Sequence, residues 1–195
     1  MRQALALGCS HTAGVGVNPD ECYVSLLSNH YQIPIKNLGT PGGNCSHIEK
    51  HLVQELKINL PDFVICQWPN VFRHTIWING YEKNENIHHD GVVFKQLLAL
   101  GEENFYNPWL QTIITCNLLC NLAKVPIVNI MIENINQQYH AVLNSQDIVL
   151  HVDEKLPGLS WIVDNKGNDG MHHSANCHAQ WAKRLIGLID ESTTT

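Results

Sequence analysis

The chain lacks clusters of basic residues and long apolar runs. Its 195 residues include 12 Lys and Arg against 18 Asp and Glu, so the formal net charge is -6. A nucleic-acid surface needs a concentrated basic face, so nucleic acid is not expected as a partner. No apolar stretch approaches the roughly 20 residues that span a membrane. The length and the 44% of hydrophobic residues instead fit one globular domain, residues 1–195.

The sequence is not expected to carry a secretion signal or a disulfide framework. The apolar stretch at residues 4–7 is too short for the core of a signal peptide, and it predicts the first strand of the fold. The seven cysteines are an odd number scattered through apolar or motif segments, a pattern typical of reduced thiols. We therefore expect the cytoplasm or another reducing compartment.

Short apolar strands alternate with amphipathic helices along the chain. Strands are predicted at residues 4–7, 33–35, 63–66, 125–131 and 148–152, with 161–163 competing for the last place. Helices are predicted at 22–31, 46–57, from Pro108 onwards and at 174–189. In the helix after Pro108, one side is expected to carry Leu110, Ile114, Leu118 and Leu122. The alternation predicts an α/β fold, a three-layer α/β/α sandwich around a parallel sheet of about five strands.

Polar segments follow the first three predicted strands. Ser10 comes after the first strand, Gly42 after the second and Asn70 after the third. Ligands of parallel sheets bind beyond the carboxyl ends of the strands, so the fold would bring these three segments to one edge. Near the C terminus, Asp169 and His172 form an Asp-x-x-His motif. Together the segments supply the hydroxyl, base, carboxylate and oxyanion donors that a serine hydrolase needs.

These segments stand in the order of the four sequence blocks of the SGNH hydrolases, also called GDSL esterases and lipases. The blocks here are Gly8-Cys9-Ser10, residues 37–42 (Asn-Leu-Gly-Thr-Pro-Gly), Trp68-Pro69-Asn70-Val71 and residues 169–172 (Asp-Gly-Met-His). The chain resembles that family over nearly its whole length. The resemblance implies the flavodoxin-like strand order that the family has, and it implies no cofactor and no metal.

The resemblance also implies a role for each matched residue. Ser10 would be the nucleophile, His172 its base and Asp169 the acid that orients the imidazole. The oxyanion hole would consist of the backbone N–H groups of Ser10 and Gly42 and the side-chain amide of Asn70. The reaction implied is cleavage of an ester by acyl transfer, as in an esterase or deacetylase. A further histidine that many members carry corresponds to His178.

Four positions depart from the family pattern. Cys9 replaces an acid that helps to order the nucleophile turn, and Trp68 replaces a glycine near the oxyanion site. Val71 and His173 replace an aspartate and a common proline. The alternative function is therefore a catalytically impaired binding or structural module, including a component of a larger particle. A Trp68 side chain that filled the oxyanion site would favour this alternative.

Each motif also has a reading that involves no catalysis. Ser10 taken alone could cap a helix, and Asp169-Gly170 is an ordinary turn dipeptide. Cys9 could itself be a nucleophile, since thiolates are reactive. The histidines suggest metal ligands, at His88-His89-Asp90 and at His172, His173 and His178. Because adjacent histidines rarely bind one ion together, we predict no metal site.

Residues 71–106 interrupt the alternation of strands and helices and form an insertion. The dipeptide Asn79-Gly80 predicts a tight hairpin, which could serve as a lid or as a wall of the substrate cleft. Arg73, Trp77 and Tyr81 are then candidate substrate contacts. The expected substrate is a small ester or an acetylated carbohydrate. The carbohydrate is suggested by the Trp and Tyr residues of the insertion, which could stack on sugar rings. In the opposing interpretation, the segment is a surface excursion that packs its aromatic residues on the domain.

Overall fold

Five parallel strands form the central sheet in the computed structural model, which describes residues 2–78, 81–86, 99, 101–131, 137–152 and 166–194. The strands of the chain are β1 (Ala4–Gly8), β2 (Ile35–Gly39), β3 (Val64–Trp68), β4 (Arg73–Ile78), β5 (Tyr81–Asn86), β6 (Ile127–Met131) and β7 (Leu150–Val152). The sheet has the order β2-β1-β3-β6-β7, and every neighbouring pair is parallel. This is the flavodoxin-like order, so the predicted fold class is confirmed.

Helices cover both faces of the sheet. They are α1 (Ser10–Ala13), α2 (Tyr23–Tyr31), α3 (Cys45–Ile58), α4 (Glu103–Ala123), α5 (Gln137–Asn144) and α6 (Ala175–Thr194). One buried cluster packs β1 residues Leu5 and Leu7 against α3, α4 and α5, and a second packs Ala4 and Ala6 against α2 and α6. Alternate side chains of β1 therefore point to opposite layers, as the period of a strand requires.

The second strand differs from its prediction. It was expected at residues 33–35, but β2 begins at Ile35 and continues to Gly39. Pro34 has no N–H to donate, and its carbonyl instead accepts the N–H of Ala4 at 3.0 Å. Because β2 is an edge strand with the exposed residues Lys36 and Asn37, it shows no apolar run by which to recognise it.

The predicted stripe on the fourth helix was wrong. Leu118 and Leu122 are 55% and 82% exposed, whereas Cys116 and Cys120 are completely buried. Residues four apart drift by about 40° at each step of a helix with 3.6 residues per turn, so the chosen leucines leave the core within three steps. The helix also begins at Glu103 and contains Pro108 in its second turn. The competing strand at 161–163 lies outside the described residues.

The insertion contains the predicted hairpin. β4 and β5 pair antiparallel, with Ile78 opposite Tyr81, which confirms the hairpin that Asn79-Gly80 predicted. The side chains of Trp77 and Tyr81 lie outside the described part of the chain. Across the described helices, none combines the length and the apolar character that a bilayer crossing requires.

Candidate active site

Ser10 follows the carboxyl end of β1, an interior strand of the sheet. Cys9 is the N-cap residue of α1, and Ser10 is the first helical residue. No side chain caps this helix, so Ser10 does not have the capping role that was its alternative. The Ser10 side chain is largely buried, and its Oγ donates to Cys9 Sγ over a long 4.0 Å. The hydroxyl is therefore held only weakly where it stands.

The nucleophile turn is held by the amide oxygen of Gln67, which is fully buried on β3. This oxygen accepts the Cys9 N–H at 3.1 Å, the Cys9 thiol at 3.1 Å and the Thr12 hydroxyl at 3.3 Å. The amide nitrogen of Gln67 donates to the Trp68 carbonyl at 2.9 Å, which fixes the side chain. Sequence reasoning missed Gln67, although a polar residue inside an otherwise apolar strand is a signal that could have been used.

Two further contacts continue this network below Ser10. Thr12 Oγ1 lies 2.9 Å from Tyr23 Oη, and because the Thr12 proton goes to Gln67, the Tyr23 hydroxyl is the donor. Burial raises the pKa of Tyr23 well above its usual value, so the phenol keeps its proton. A Cβ on Gly8 would lie only 2.1 Å from Thr12 Oγ1, so the turn requires glycine at that position.

The segment after β2 brings the first part of the expected oxyanion hole. Asn37 Nδ2 donates to the Thr12 carbonyl at 2.7 Å, and the N–H of Thr40 donates to the Gly8 carbonyl at 2.9 Å. Gly42 follows in the left-handed region, at a φ of 71°. Within the described ranges, no acceptor bonds the N–H of Gly42 or of Ser10.

The segment after β3 carries Asn70. Its Oδ1 accepts the N–H of Phe72 at 2.8 Å, which sets the orientation of the side-chain amide. Trp68, two residues earlier, is completely buried in the cluster under α3 and α4. Its indole N–H donates to Asn129 Oδ1 at 3.0 Å. The Trp68 side chain therefore packs in the core instead of filling the site, contrary to the alternative that its bulk suggested.

Asp169 and His172 form a direct pair. The Asp169 Oδ2 lies 2.5 Å from His172 Nδ1, and Oδ1 accepts the N–H groups of Met171 and His172, each at 2.9 Å. The two backbone bonds and then the imidazole lower the pKa of Asp169 well below its usual range, the His172 N–H contributing most. The turn that Asp169-Gly170 suggested is thus present, and it aims the carboxylate at the imidazole.

The loop with Asp169 and His172 packs on the chain just after α1. The N–H of Asn168 donates to the Gly16 carbonyl at 2.7 Å. A Cβ on Gly16 would lie 3.0 Å from both Asp169 Oδ1 and His172 Cβ. The rings of His172 and His11, the residue after Ser10, are centred 5.3 Å apart. His172 therefore lies beside the turn that carries Ser10, although in the described structure the Ser10 hydroxyl bonds Cys9 and not His172.

Other imidazole rings cluster around His172. The His11 ring lies 4.4 Å from that of His173 and 6.5 Å from that of Trp181. Burial, with smaller effects of neighbouring charges, lowers the pKa of His11 well below its usual value and that of His178 to about 4. His178 Nδ1 accepts the N–H of Tyr23 at 3.2 Å. These buried rings are therefore neutral near pH 7 and pack as aromatic groups.

The described histidines, cysteines and acids do not form a metal site. Among the residues whose placement is described, no three His, Cys, Asp or Glu side chains form a group that could hold an ion. The adjacent residues His172 and His173 do not combine with His178 in this way. The other histidine motif, His88-His89-Asp90, lies outside the described residues. All seven cysteines are buried and free.

The chain shares its fold with solved esterases at low sequence identity. No protein-family model and no curated protein matches it. The esterase EstA from Pseudoalteromonas sp. superposes with a TM-score of 0.66 at 13% identity over all of both chains. The acetyl xylan esterase Est2A from the rumen bacterium Butyrivibrio proteoclasticus has a TM-score of 0.61 at 11% identity, over 97% of this chain and 64% of its own. AlinE4, an SGNH-hydrolase family esterase, has a TM-score of 0.55 at 15% identity, over 97% and 95%. The fold is that of the SGNH hydrolases.

Replacing Gln67 with Leu should destabilise the protein at the nucleophile turn. The variant removes the only side chain that accepts the buried Cys9 N–H in the described structure, and an unpaired buried group of this kind costs about 1–3 kcal/mol. The melting temperature should fall by about 2–4 °C per kcal/mol, and the Cys9 amide should exchange faster with solvent. Gln137→Leu, on an exposed position of α5, is the matched control. Unchanged exchange at Cys9 would contradict the assigned role of Gln67.

Acidification should destabilise the protein through His178. Between about pH 6.5 and 4 the unfolded chain binds a proton at this histidine, whereas the folded chain does not, because its pKa is about 4. Stability is therefore lost as the pH falls, by up to about 1.4 kcal/mol per pH unit within this window. In His178→Asn, whose amide oxygen can still accept the Tyr23 N–H, unfolding measured from pH 7 to 4 should depend less on pH. An equal dependence in wild type, His178→Asn and the exposed control His30→Asn would refute this assignment.

Proposed function

We propose that the protein is a serine hydrolase of the esterase or deacetylase type, with Ser10 as nucleophile, His172 as base and Asp169 as orienting acid. The observation that supports this most is the Asp169–His172 pair, packed through Gly16 against the segment that follows Ser10. A carboxylate, an imidazole and a serine hydroxyl at the carboxyl end of an interior strand are the parts of the acyl-transfer mechanism. The esterases that share the fold support the same class of reaction.

The first half of the reaction transfers the acyl group to the enzyme. His172 donates a hydrogen bond from Nδ1–H to Asp169, which leaves the lone pair of Nε2 free to act as the base. The Ser10 hydroxyl rotates away from Cys9 Sγ and gives its proton to Nε2 as its oxygen attacks the ester carbonyl. When the tetrahedral intermediate collapses, the alcohol leaves with that proton, and the acyl group remains on Ser10.

The second half restores the serine. A water gives a proton to His172 and attacks the acyl carbonyl, and the proton then returns to Ser10 as the acid leaves. In both halves the carbonyl oxygen gains negative charge. The N–H groups of Ser10 and Gly42 and the amide of Asn70 are the donors proposed to stabilise it. Because the pKa of Asp169 is lowered, its carboxylate stays ionised and stabilises the imidazolium that forms.

Two alternatives receive less support from the geometry. Cys9 as nucleophile is disfavoured because its thiol is 1% exposed and donates inward to Gln67. The impaired module was inferred from Cys9, Trp68 and Val71. The buried Gln67 now supplies an acceptor for the turn, and Trp68 is packed in the core. The weak contact of Ser10 with Cys9 and the replacement of the family's aspartate by Val71 still favour a non-catalytic module.

We propose a small ester as the substrate, with the hairpin of the insertion as a wall of the cleft. Arg73, Trp77 and Tyr81 remain the proposed contacts, and an acetylated carbohydrate remains one candidate because its rings could stack on the two aromatic residues. The acetyl xylan esterase among the structural neighbours is consistent with that class. A single domain over residues 1–195 and a reducing compartment are part of the same proposal.

Ser10→Ala should abolish turnover, because the variant lacks the attacking oxygen. We expect wild type to hydrolyse p-nitrophenyl acetate and to react with a fluorophosphonate probe, and the variant to do neither. Ser145→Ala removes an exposed hydroxyl from the chain and should behave as wild type. If wild type neither turns over nor labels, the esterase proposal fails and the binding module replaces it.

Asn70→Ala should weaken catalysis without removing the nucleophile. Loss of one oxyanion donor typically reduces turnover by about 100- to 1000-fold, and the effect should fall on kcat more than on KM. Fluorophosphonate labelling of Ser10 should persist at a reduced rate. The control is Asn121→Ala on an exposed position of α4. A variant with unchanged kcat would remove Asn70 from the oxyanion hole.

A further inference from the structure

A small polar cavity lies beside the proposed oxyanion hole. Its volume is about 50 Å³, and its lining includes Asn44, Ser46, Arg73, Phe105, Trp109 and Thr112. A water needs about 10–15 Å³ of such space, so the cavity has room for about three or four heavy atoms. That is the size of a carboxylate with the carbon that carries it.

The cavity lies on one side of the nucleophile turn. Asn44 is two residues beyond Gly42, and Arg73 is three residues beyond Asn70, so the walls continue from the two segments proposed to hold the oxyanion. The remaining walls come from α3 and α4, which cover one face of the sheet. His172 precedes α6, which covers the opposite face. The helices that line the cavity and the helix that follows His172 therefore belong to different layers of the fold.

This arrangement separates the two halves of an ester. The leaving alcohol must take its proton from His172, so it lies on the side of α6. The acyl substituent then extends to the other side, towards α3, α4 and the cavity. The chemistry of the cavity accordingly concerns the acyl group and not the alcohol.

Arg73 adds a positive charge to the lining of the cavity. Its Nη1 donates to the Gly43 carbonyl at 3.4 Å, a neutral acceptor at long distance. Neither the Lys36–Glu55 nor the His172–Asp169 ion pair includes Arg73. In a chain of net charge -6, an arginine for which the described residues supply no ion-pair partner is a reason to look for an anionic ligand.

The amino end of α3 also favours an anion in the cavity. The 14-residue helix α3 begins at the cavity wall, with Asn44 as its N-cap and no acid in its first turn. The amino end of a helix carries partial positive charge, which disfavours a cation beside it and favours an anion. Arg73 and this helix end therefore both favour an anion in the cavity.

We propose that the cavity binds a carboxylate on the acyl group, so that the substrate is the hemi-ester of a short dicarboxylic acid, of the succinyl class. The guanidinium of Arg73 would hold the carboxylate in a charge-assisted hydrogen bond while Ser10 attacks the carbonyl at the other end of the acyl chain. This inference rests on the proposed esterase function, and it replaces the plain acetyl group with an anionic acyl group.

The test compares two esters with the same acyl chain. Wild type should hydrolyse mono-4-nitrophenyl succinate with at least about tenfold higher kcat/KM than 4-nitrophenyl methyl succinate, after the spontaneous rate is subtracted with the Ser10→Ala variant. Arg73→Gln should reduce kcat/KM for the charged ester by about 10- to 100-fold more than it reduces kcat/KM for the neutral ester. Arg73→Lys, which keeps the charge, should be intermediate. Arg184→Gln, which removes an exposed charge on α6, is the matched control.

The outcomes separate this inference from the esterase proposal. Equal losses on both esters in Arg73→Gln, or no preference of wild type for the charged ester, would overturn the carboxylate site while the esterase stands. If wild type hydrolyses neither ester, the carboxylate site is tested instead by measuring the binding of monomethyl succinate by calorimetry. Binding to wild type that Arg73→Gln loses and Arg73→Lys retains in part would support the site, and binding that is absent or unaffected by Arg73 would overturn it.

Discussion

The site depends on one buried acceptor, the amide oxygen of Gln67. The N–H of Cys9 is buried at the point where β1 turns into α1, and an unpaired group there would be costly. Gln67 reaches across from β3 to accept it, together with the Cys9 thiol and the Thr12 hydroxyl. The turn that presents Ser10 is therefore fixed by a neighbouring strand. An acid at position 9, which the family pattern would place there, is not required for this.

The two sides of the turn that carries Ser10 differ in charge. On the side of α2 and α6 lie neutral imidazoles: burial lowers the pKa values of His11 and His178, so the rings pack around His172 without adding charge. On the side of α3 and α4 lie the helix amino end and the charge of Arg73. Proton transfer on one side and recognition of a negative charge on the other fit the two ends of an ester. This asymmetry is the basis for assigning the acyl group to the cavity.

Sequence reasoning predicted the parts of the fold whose signals are local. The buried strands and the Asn79-Gly80 hairpin have clear patterns, and Ser10 directly follows one of these strands, whereas Asp169 was identified from the Asp-x-x-His motif. The predicted bounds of β2 were wrong because an edge strand carries polar residues. The predicted buried face of α4 was wrong because residues spaced four apart move progressively around the helix. Gln67 could not be assigned a role, since its partners lie 55 and 58 residues away. The core position of Trp68 likewise depends on Asn129, a residue of another strand.

The central claim, that Ser10 becomes acylated with His172 as its base, is tested most directly by trapping the intermediate. The protein would be mixed with p-nitrophenyl acetate, quenched in acid within the first turnover, digested and examined by tandem mass spectrometry. The account predicts one acetyl group on Ser10 in wild type, formed more slowly in His172→Ala. Acetylation of Cys9 with Ser10 unmodified, or an unmodified peptide in a protein that still turns over, would contradict it.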